Sequence, residues 1–236
     1  MLAFLVLSCE ESFVTPDPEA RGLNYYPLEV GNYRVYDVTD IKYQHNEATE
    51  KRFQMREWVA DSFLDQTNAL TYKIIRSVRP DAQSEWLDDS VMTVTKSNTQ
   101  VILTKDNTKY VKFVFPVIEG KTWIGDLYNN HVIKKDESNP YKSKEYFRFQ
   151  NVDQSFEIGT EEYDKTVTII QGEPQVDIYS LDDRKEVYAR NIGRIYRLFN
   201  RLIYCTGDAG QTCTVGTEYI LNGHKRIEEL IEYGKL

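Results

Sequence analysis

Short runs of Val, Ile, Thr and aromatic residues recur along most of the chain, separated by clusters of Asn, Asp, Gly and Pro. Apolar and polar positions alternate within many runs, which is typical of half-buried β-strands. The predicted strands are Tyr33–Val38, Phe53–Val59, Leu70–Val78, Val91–Lys96, Gln100–Thr104, Tyr110–Phe115, Tyr146–Val152, Thr166–Ile170, Glu186–Ala189, Arg194–Arg201 and Thr217–Leu221. The pattern predicts a mainly β protein with a single antiparallel, strongly curved sheet or a half-open barrel.

Two segments fit both helical and extended spacing. In Lys225–Tyr233 the spacing of Ile227, Leu230 and Ile231 suits a helix, but the preceding Asn222-Gly223 favours a hairpin leading into a terminal strand. Glu47–Asp65 has a helix-like composition, yet most of its apolar residues share one strand face. We predict strands in both places.

A short pattern occurs twice. An aromatic-Pro pair is followed by three residues and Gly, first in 26–31 and again in 115–120, with an aromatic residue soon after each Gly. Proline fixes φ and cannot donate to a sheet, so each copy predicts a turn that leads into a strand. The repetition is compatible with a sheet built from two related halves.

Composition narrows the class of protein. The chain has 236 residues, 41% hydrophobic and 28% charged, so it can bury a real core. Aromatic residues make up 13% and include 17 Tyr, which favours sheet over helix. The net charge of −8 offers no basic surface for a phosphate backbone, so we expect no nucleic-acid partner.

The longest apolar run lies at the N-terminus and ends in Val6-Leu7-Ser8-Cys9, which resembles a bacterial lipobox. It is much shorter than the about 20 residues that span a bilayer. The charged opening of a signal peptide is missing, so we expect the chain to begin inside that peptide. We predict a signal remnant in 1–9, a Pro-containing acidic tether in 10–24, and a β-rich domain in 25–236, with lipid on Cys9.

With Cys9 set aside, Cys205 and Cys213 remain, separated by seven polar or small residues. A disulfide suits the oxidising environment of an exported protein. Two free thiols are the alternative, whereas a metal pair would need two further ligands. We predict the disulfide.

Four stretches, 26–33, 109–116, 119–123 and 186–193, resemble in this order a family of uncharacterised lipoproteins from Bacteroidota. Members typically carry Trp where this chain has Arg34, and Gly where it has Asn191. The resemblance implies an exported lipoprotein at the outer membrane or cell surface, and Glu10-Glu11 looks like the acidic signal for surface display. It implies no activity.

Motifs for catalysis are missing from the sequence. His45, His131 and His224 are the only histidines, all in polar contexts that we interpret as loops, without the spacing of metal ligands. Adjacent carboxylates such as Glu228-Glu229 point to opposite faces of a strand, and we interpret them as a solvated surface. We therefore expect no enzyme, no metal and no cofactor.

Aromatic residues are the remaining candidates for binding. We expect Trp123 and Phe115 to fill the core, because they belong to the strand-turn pattern. Tyr128 and Tyr141, with Asn129 and Asn130, lie in the longest polar loop and are the predicted contacts for a glycan or an envelope protein.

The sequence thus favours a non-enzymatic envelope or cell-surface lipoprotein acting as a binding or accessory module. A lipid or lipoprotein carrier with an apolar cavity, a carboxylate-based hydrolase and a structural subunit of an envelope complex are the alternatives. The shape and lining of the concave face of the sheet would separate them.

The lipobox generates the first prediction. Protein expressed with its natural signal peptide should partition into the detergent phase, and Cys9→Ser should move it to the aqueous phase because the acylated sulfur is lost. Phase partitioning followed by immunoblotting measures the change. Unchanged membrane association of the variant would contradict lipidation of Cys9.

Overall fold

The computed structural model describes residues 17–129, 144–172, 178–207 and 212–236. A single 3-10 turn, Leu23–Tyr25, precedes the sheet. The strands are β1 (Asn32–Gln44), β2 (Glu47–Leu64), β3 (Leu70–Arg79), β4 (Leu87–Lys96), β5 (Gln100–Lys105), β6 (Thr108–Val114), β7 (Thr122–Ile124), β8 (Tyr146–Ile158), β9 (Glu161–Gly172), β10 (Ser180–Ala189), β11 (Gly193–Cys205) and β12 (Gly216–Lys235).

All twelve strands form one antiparallel sheet in the order β6-β5-β4-β3-β2-β1-β12-β11-β10-β9-β8-β7. The sheet curls until its two edges approach each other. The amide of Val111 in β6 donates to the carbonyl of Gly125 after β7 at 2.8 Å, and the indole of Trp123 donates to Val111 O at 2.9 Å. The result is a nearly closed barrel with an unsealed seam, which confirms the predicted fold class.

The repeated aromatic-Pro pattern marks the start of each half of the sheet. Gly31 and Gly120 have φ of 94° and 76°, values that a residue without Cβ adopts at no steric cost. β1 begins directly after Gly31 and β7 begins two residues after Gly120. The predicted strand-entry turns are confirmed, and each one opens a six-stranded meander.

The main core is an aromatic cluster on the inner face. Phe113 lies 5.0 Å from Phe149 between ring centroids, and Trp123 lies 4.5 Å from Phe149. Tyr25 on the 3-10 turn is fully buried against Phe113. The apolar alternation of β6 and β8, with Trp123 of β7, therefore fills one part of the barrel with rings in tilted, edge-on and stacked contacts.

The segment before β1 lies against the sheet. Arg21 donates to the carbonyl of Asn98, and the ammonium of Lys96 donates to the carbonyls of Leu23 and Tyr26 at 2.9 and 2.7 Å. These contacts fix the 3-10 turn over the core. The predicted bounds of the tether, and the lipid on Cys9, stay predictions because residues 1–16 lie outside the described part of the chain.

The predicted hairpin at Asn222-Gly223 is wrong. β12 runs without interruption through both residues, and Gly223 pairs with Tyr43 of β1 and Leu202 of β11. A Cβ on Gly223 would lie 2.6 Å from Leu202 Cδ2 and 2.8 Å from Arg201 O. Glycine is required here because a neighbouring side chain and backbone approach closely within the sheet, and not because the chain turns.

Two other expectations are confirmed, the strand at Glu47–Leu64 and the disulfide. Glu47–Leu64 is a strand, as predicted, whereas the three-residue β7 is too short to stand out in the sequence. The disulfide between Cys205 and Cys213 is present. Asn191 has φ of 64°, a left-handed conformation that Gly or Asn adopts most readily.

Burial in the aromatic cluster generates the second prediction. Trp123 is 9% exposed and its indole N–H is satisfied, so Trp123→Ala should cost about 3–5 kcal/mol of unfolding free energy. Tyr128 is 50% exposed, and Tyr128→Ala should change stability by less than about 0.5 kcal/mol. Urea denaturation followed by circular dichroism measures both, and a larger loss for Tyr128→Ala would show that core and surface are assigned the wrong way round.

Candidate functional site

A cavity of about 330 Å³ lies inside the curled sheet. One part of its lining is apolar and continues the aromatic core. These apolar and aromatic residues are Tyr26, Leu28, Ile74, Met92, Val94, Leu103, Tyr110, Phe147, Tyr188 and Phe199. The other part is charged. The charged residues are Arg34, Glu57, Arg76, Lys105, Lys112, Glu145, Arg184, Glu186, Arg194 and Arg197.

Strand alternation places these charges inside the barrel. Arg184, Glu186 and Tyr188 are two residues apart on β10, so their side chains share one face. The same spacing places Ile74 and Arg76 together on β3. A charged run that would be solvated on an open sheet is therefore enclosed when the sheet curls.

A bulge in β11 directs both Arg194 and Arg197 into the interior. Val187 of β10 pairs with Tyr196, but its neighbour Tyr188 pairs with Arg194, which leaves Ile195 as the extra residue. An extra residue shifts the alternation by one position. Arg194 and Arg197 are three residues apart, yet both line the cavity.

Glu228 is the most buried carboxylate of this network, with no exposed surface. Its Oε1 accepts from Arg197 Nη1 at 2.9 Å and from Arg226 Nε at 2.8 Å. Arg194 Nη2 lies 2.9 Å from its Oε2. Three guanidinium groups thus surround one carboxylate. The interpretation of Glu228 as part of a solvated surface is wrong, whereas its neighbour Glu229 is exposed as expected.

Glu57 of β2 extends the network across the interior. Arg76 on the adjacent β3 donates to its Oε1 at 2.6 Å, and Arg194 of β11 donates to its Oε2 at 3.3 Å. Arg194 therefore contacts carboxylates that belong to the two halves of the sheet, Glu57 and Glu228. The charged layer connects strands that do not pair with each other.

Glu186 is a further buried carboxylate of the network, 1% exposed. It accepts from Lys112 of β6 and from the hydroxyl of Tyr188, at 2.5 and 2.7 Å. Arg197 lies 3.7 Å away. The Lys112 contact joins β6 to β10 through the cavity wall.

These carboxylates are held ionised. Burial alone would raise their pKa values, but Arg194 and Arg76 lower the pKa of Glu57 to about 2. Lys112, Arg194 and Arg197 likewise overcome burial at Glu186 and lower its pKa to about 2. Such groups carry no proton at neutral pH and cannot act as general acids there.

Glu145 behaves differently from the other lining carboxylates. Burial raises its pKa above the ordinary value, and Arg184, 3.1 Å away, offsets this only in part. Arg184 is shared with Asp182, to whose Oδ1 it donates at 2.6 Å.

Of the predicted binding residues, Tyr128 and Asn129 lie in the described part of the chain, and neither lines the cavity. The hydroxyl of Tyr128 accepts from Gln100 at 3.4 Å, and the side-chain amide of Asn129 donates to Lys109 O at 2.6 Å. Asn130 and Tyr141 lie outside the described residues. The contact surface predicted for this loop therefore stays a prediction.

The histidines also differ in part from expectation. His224 lies within β12 rather than in a loop, with Nε2 3.0 Å from Asp40 Oδ2. His45 occupies the β1–β2 turn, and His131 is outside the described residues. Within the described ranges, no three His, Cys, Asp or Glu side chains are grouped to hold a metal ion.

The comparisons add one structural similarity. The chain is similar to a Bacteroides fragilis protein, named as a predicted exported protein with a YmcC-like fold, over 89% of this chain and 98% of that one, at 9% identity and a TM-score of 0.37. A similarity at this level supports no conclusion about this chain. No protein-family model and no curated protein matches it. Among the described residues, no helix is long and apolar enough to cross a membrane.

The buried network generates the third prediction. Glu228→Gln removes the charge that three arginines share, and should cost about 3–5 kcal/mol because cations are left uncompensated in the interior. Glu229→Gln, on the opposite face of the same strand, should cost less than about 0.5 kcal/mol. Urea denaturation at pH 7 measures both free energies, and equal losses would contradict the assigned burial.

Acid titration is the second arm of this test. The pKa of Glu57 and of Glu186 is about 2, against an ordinary value of 4.5. Their stabilisation is therefore complete above about pH 4.5 and is lost as the pH falls towards 2. Glu228 also has a lowered pKa, so the Glu228→Gln variant should lose less stability than the wild type over this range.

Proposed function

We propose that the protein is a non-enzymatic envelope or cell-surface lipoprotein whose curled sheet acts as a binding module, with the cavity as its binding site. The observation that carries this proposal is the incomplete filling of the interior. Small-molecule sites occupy about 300–1,000 Å³ and combine an apolar lining with a few placed polar groups. The cavity has both properties.

The state of the lining carboxylates favours binding over catalysis. A hydrolase built on two carboxylates needs one that holds a proton at working pH. Glu57 and Glu186 are ionised and occupied by arginine or lysine. Glu145 has a raised pKa but is paired with Arg184, and neither His45 nor His224 lines the cavity. The carboxylates act here as counter-charges that hold cationic side chains in place.

Attachment to the membrane rests on the lipobox and on the acidic residues that follow Cys9. The outer membrane or cell surface is the proposed location, with lipid on Cys9 as the anchor. The Cys205–Cys213 disulfide is compatible with an oxidising envelope. A glycan or an envelope protein at the Tyr128 loop remains a separate proposal.

A lipid carrier is the second candidate, and the apolar part of the lining favours it. Ile74, Met92, Val94 and Leu103 come from three adjacent strands and form a continuous apolar surface. A carrier and a binding module would both use the cavity, so occupancy of the cavity is the first property to test.

The fourth prediction concerns this occupancy. The neutral probe N-phenyl-1-naphthylamine should bind the full-length chain carrying Cys9→Ser and gain fluorescence as it enters an apolar site. Leu103→Trp should abolish the gain, because Leu103 lines the cavity and a larger ring fills it. Thr104→Trp is the matched control, since residue 104 faces the other side of β5 and does not line the cavity.

Thermal melting of both tryptophan variants shows whether they are folded. Probe binding that survives Leu103→Trp in a folded protein would place the probe elsewhere. No binding by the wild type would contradict the cavity as a binding site.

A further inference from the structure

We propose that the cavity binds a small amphiphile with one anionic group, of the class of medium-chain carboxylates and alkyl phosphates. This inference rests on the proposed function, because it assumes that the cavity is the binding site. Its basis is the charge of the lining, the position of a cation without a partner, and the apolar surface next to it.

The lining is positively charged although the protein is acidic. Seven of the charged lining residues are Arg or Lys and three are Glu, which gives 7 − 3 = +4. The whole chain carries a net charge of −8. Including Glu228 and Asp182, which contact lining arginines from behind, still leaves 7 − 5 = +2. A cleft whose lining carries a net positive charge attracts small anions.

The lining carboxylates are already engaged. Glu57 is shared by two arginines, Glu186 is held by Lys112, and Glu145 is paired with Arg184. Two of the seven lining cations have no carboxylate partner among the described residues. Arg34 donates to the carbonyls of Ile192 and Pro27, whereas the side-chain ammonium of Lys105 makes no hydrogen bond or ion pair within the described part of the chain.

Lys105 is therefore the group available to a ligand. Lys105 is partly buried and its ammonium has no protein partner among the described residues, so an anion in the cavity can form a charge-assisted hydrogen bond with it without breaking an existing ion pair. Tyr110 lies across from Leu103 on β6 and also lines the cavity. Burial raises the pKa of Tyr110, so its hydroxyl stays protonated and can donate to the same anion.

The apolar surface begins directly beside this cation. Leu103 and Lys105 are two residues apart on one face of β5, about 7 Å along the strand. Leu103 pairs with Val94 of β4, and Met92 lies two residues before Val94 on the same face, on the side of Lys105. A ligand whose anionic group contacts Lys105 can thus place a hydrocarbon chain on Leu103, Val94 and Met92.

Competition with the neutral probe tests this ligand class. The competitors are decanoate, decyl phosphate, decylammonium and decanol, which share one chain length, with acetate and inorganic phosphate as head groups alone. Decanoate, decyl phosphate or both should displace N-phenyl-1-naphthylamine at concentrations at least about tenfold lower than decylammonium, as one charge-assisted hydrogen bond can account for. The two anionic arms separate a carboxylate from a phosphate, and acetate and phosphate should displace nothing.

Lys105→Gln should weaken displacement by the preferred anion about tenfold, and leave binding of the neutral probe unchanged. Lys109→Gln is the matched control, because Lys109 is an exposed lysine on the same hairpin and does not line the cavity. It should change neither value.

The outcomes are distinct. If the probe binds and Leu103→Trp blocks it, but decylammonium or decanol competes as well as decanoate and decyl phosphate, the anionic ligand is refuted while the proposed binding function stands. Equal effects of Lys105→Gln and Lys109→Gln would refute the role of Lys105. If neither the probe nor any decyl compound binds, the proposed function and this inference both fail.

Discussion

The ion-pair network around Glu228 is the constraint on which the rest of the barrel depends. Glu228 lies on β12, the strand that pairs the second half of the sheet with β1 of the first half. Through Arg194 it is connected to Glu57 on β2, so charges of both halves meet inside. Burying ions is costly and is repaid only when each has partners with good geometry. Each of the charges Glu57, Arg194 and Glu228 has an oppositely charged partner, so removal of one member leaves the others uncompensated.

The same network explains why the barrel is not filled. Aliphatic and aromatic side chains pack to crystal-like density, and they do so around Phe113, Phe149 and Trp123. The positions of guanidinium and carboxylate groups are set instead by the directions of their hydrogen bonds, because each group must face its partners. Where the apolar core ends and the paired charges begin, the interior retains the cavity. Closure of the sheet depends on the apolar part, since Trp123 also holds the two edges together at the seam.

The alternation of apolar and polar residues predicted the strands because the outer face of the sheet is exposed to solvent and much of the inner face is apolar. It failed at Asn222-Gly223, where close packing rather than a turn requires glycine. The site was missed for a different reason. Arg226 and Glu228, like Arg184 and Glu186, are opposite charges two residues apart, which is also the pattern of a solvated strand face. These charges become enclosed only because the sheet curls. The bulge at Ile195 directs Arg194 and Arg197 to one side, and no sequence pattern predicts it.

Stability alone gives no reason for this interior. Replacing a whole buried set of ion pairs by well-packed apolar residues is often neutral or stabilising, even though removing one partner is costly. The sign of the charge adds to this argument. The acidic exterior repels small anions, whereas the cavity lining carries an excess of cations. The excess of cations around the cavity, in a chain whose net charge is negative, favours an anion there, and the adjoining apolar surface favours an anion that carries hydrocarbon.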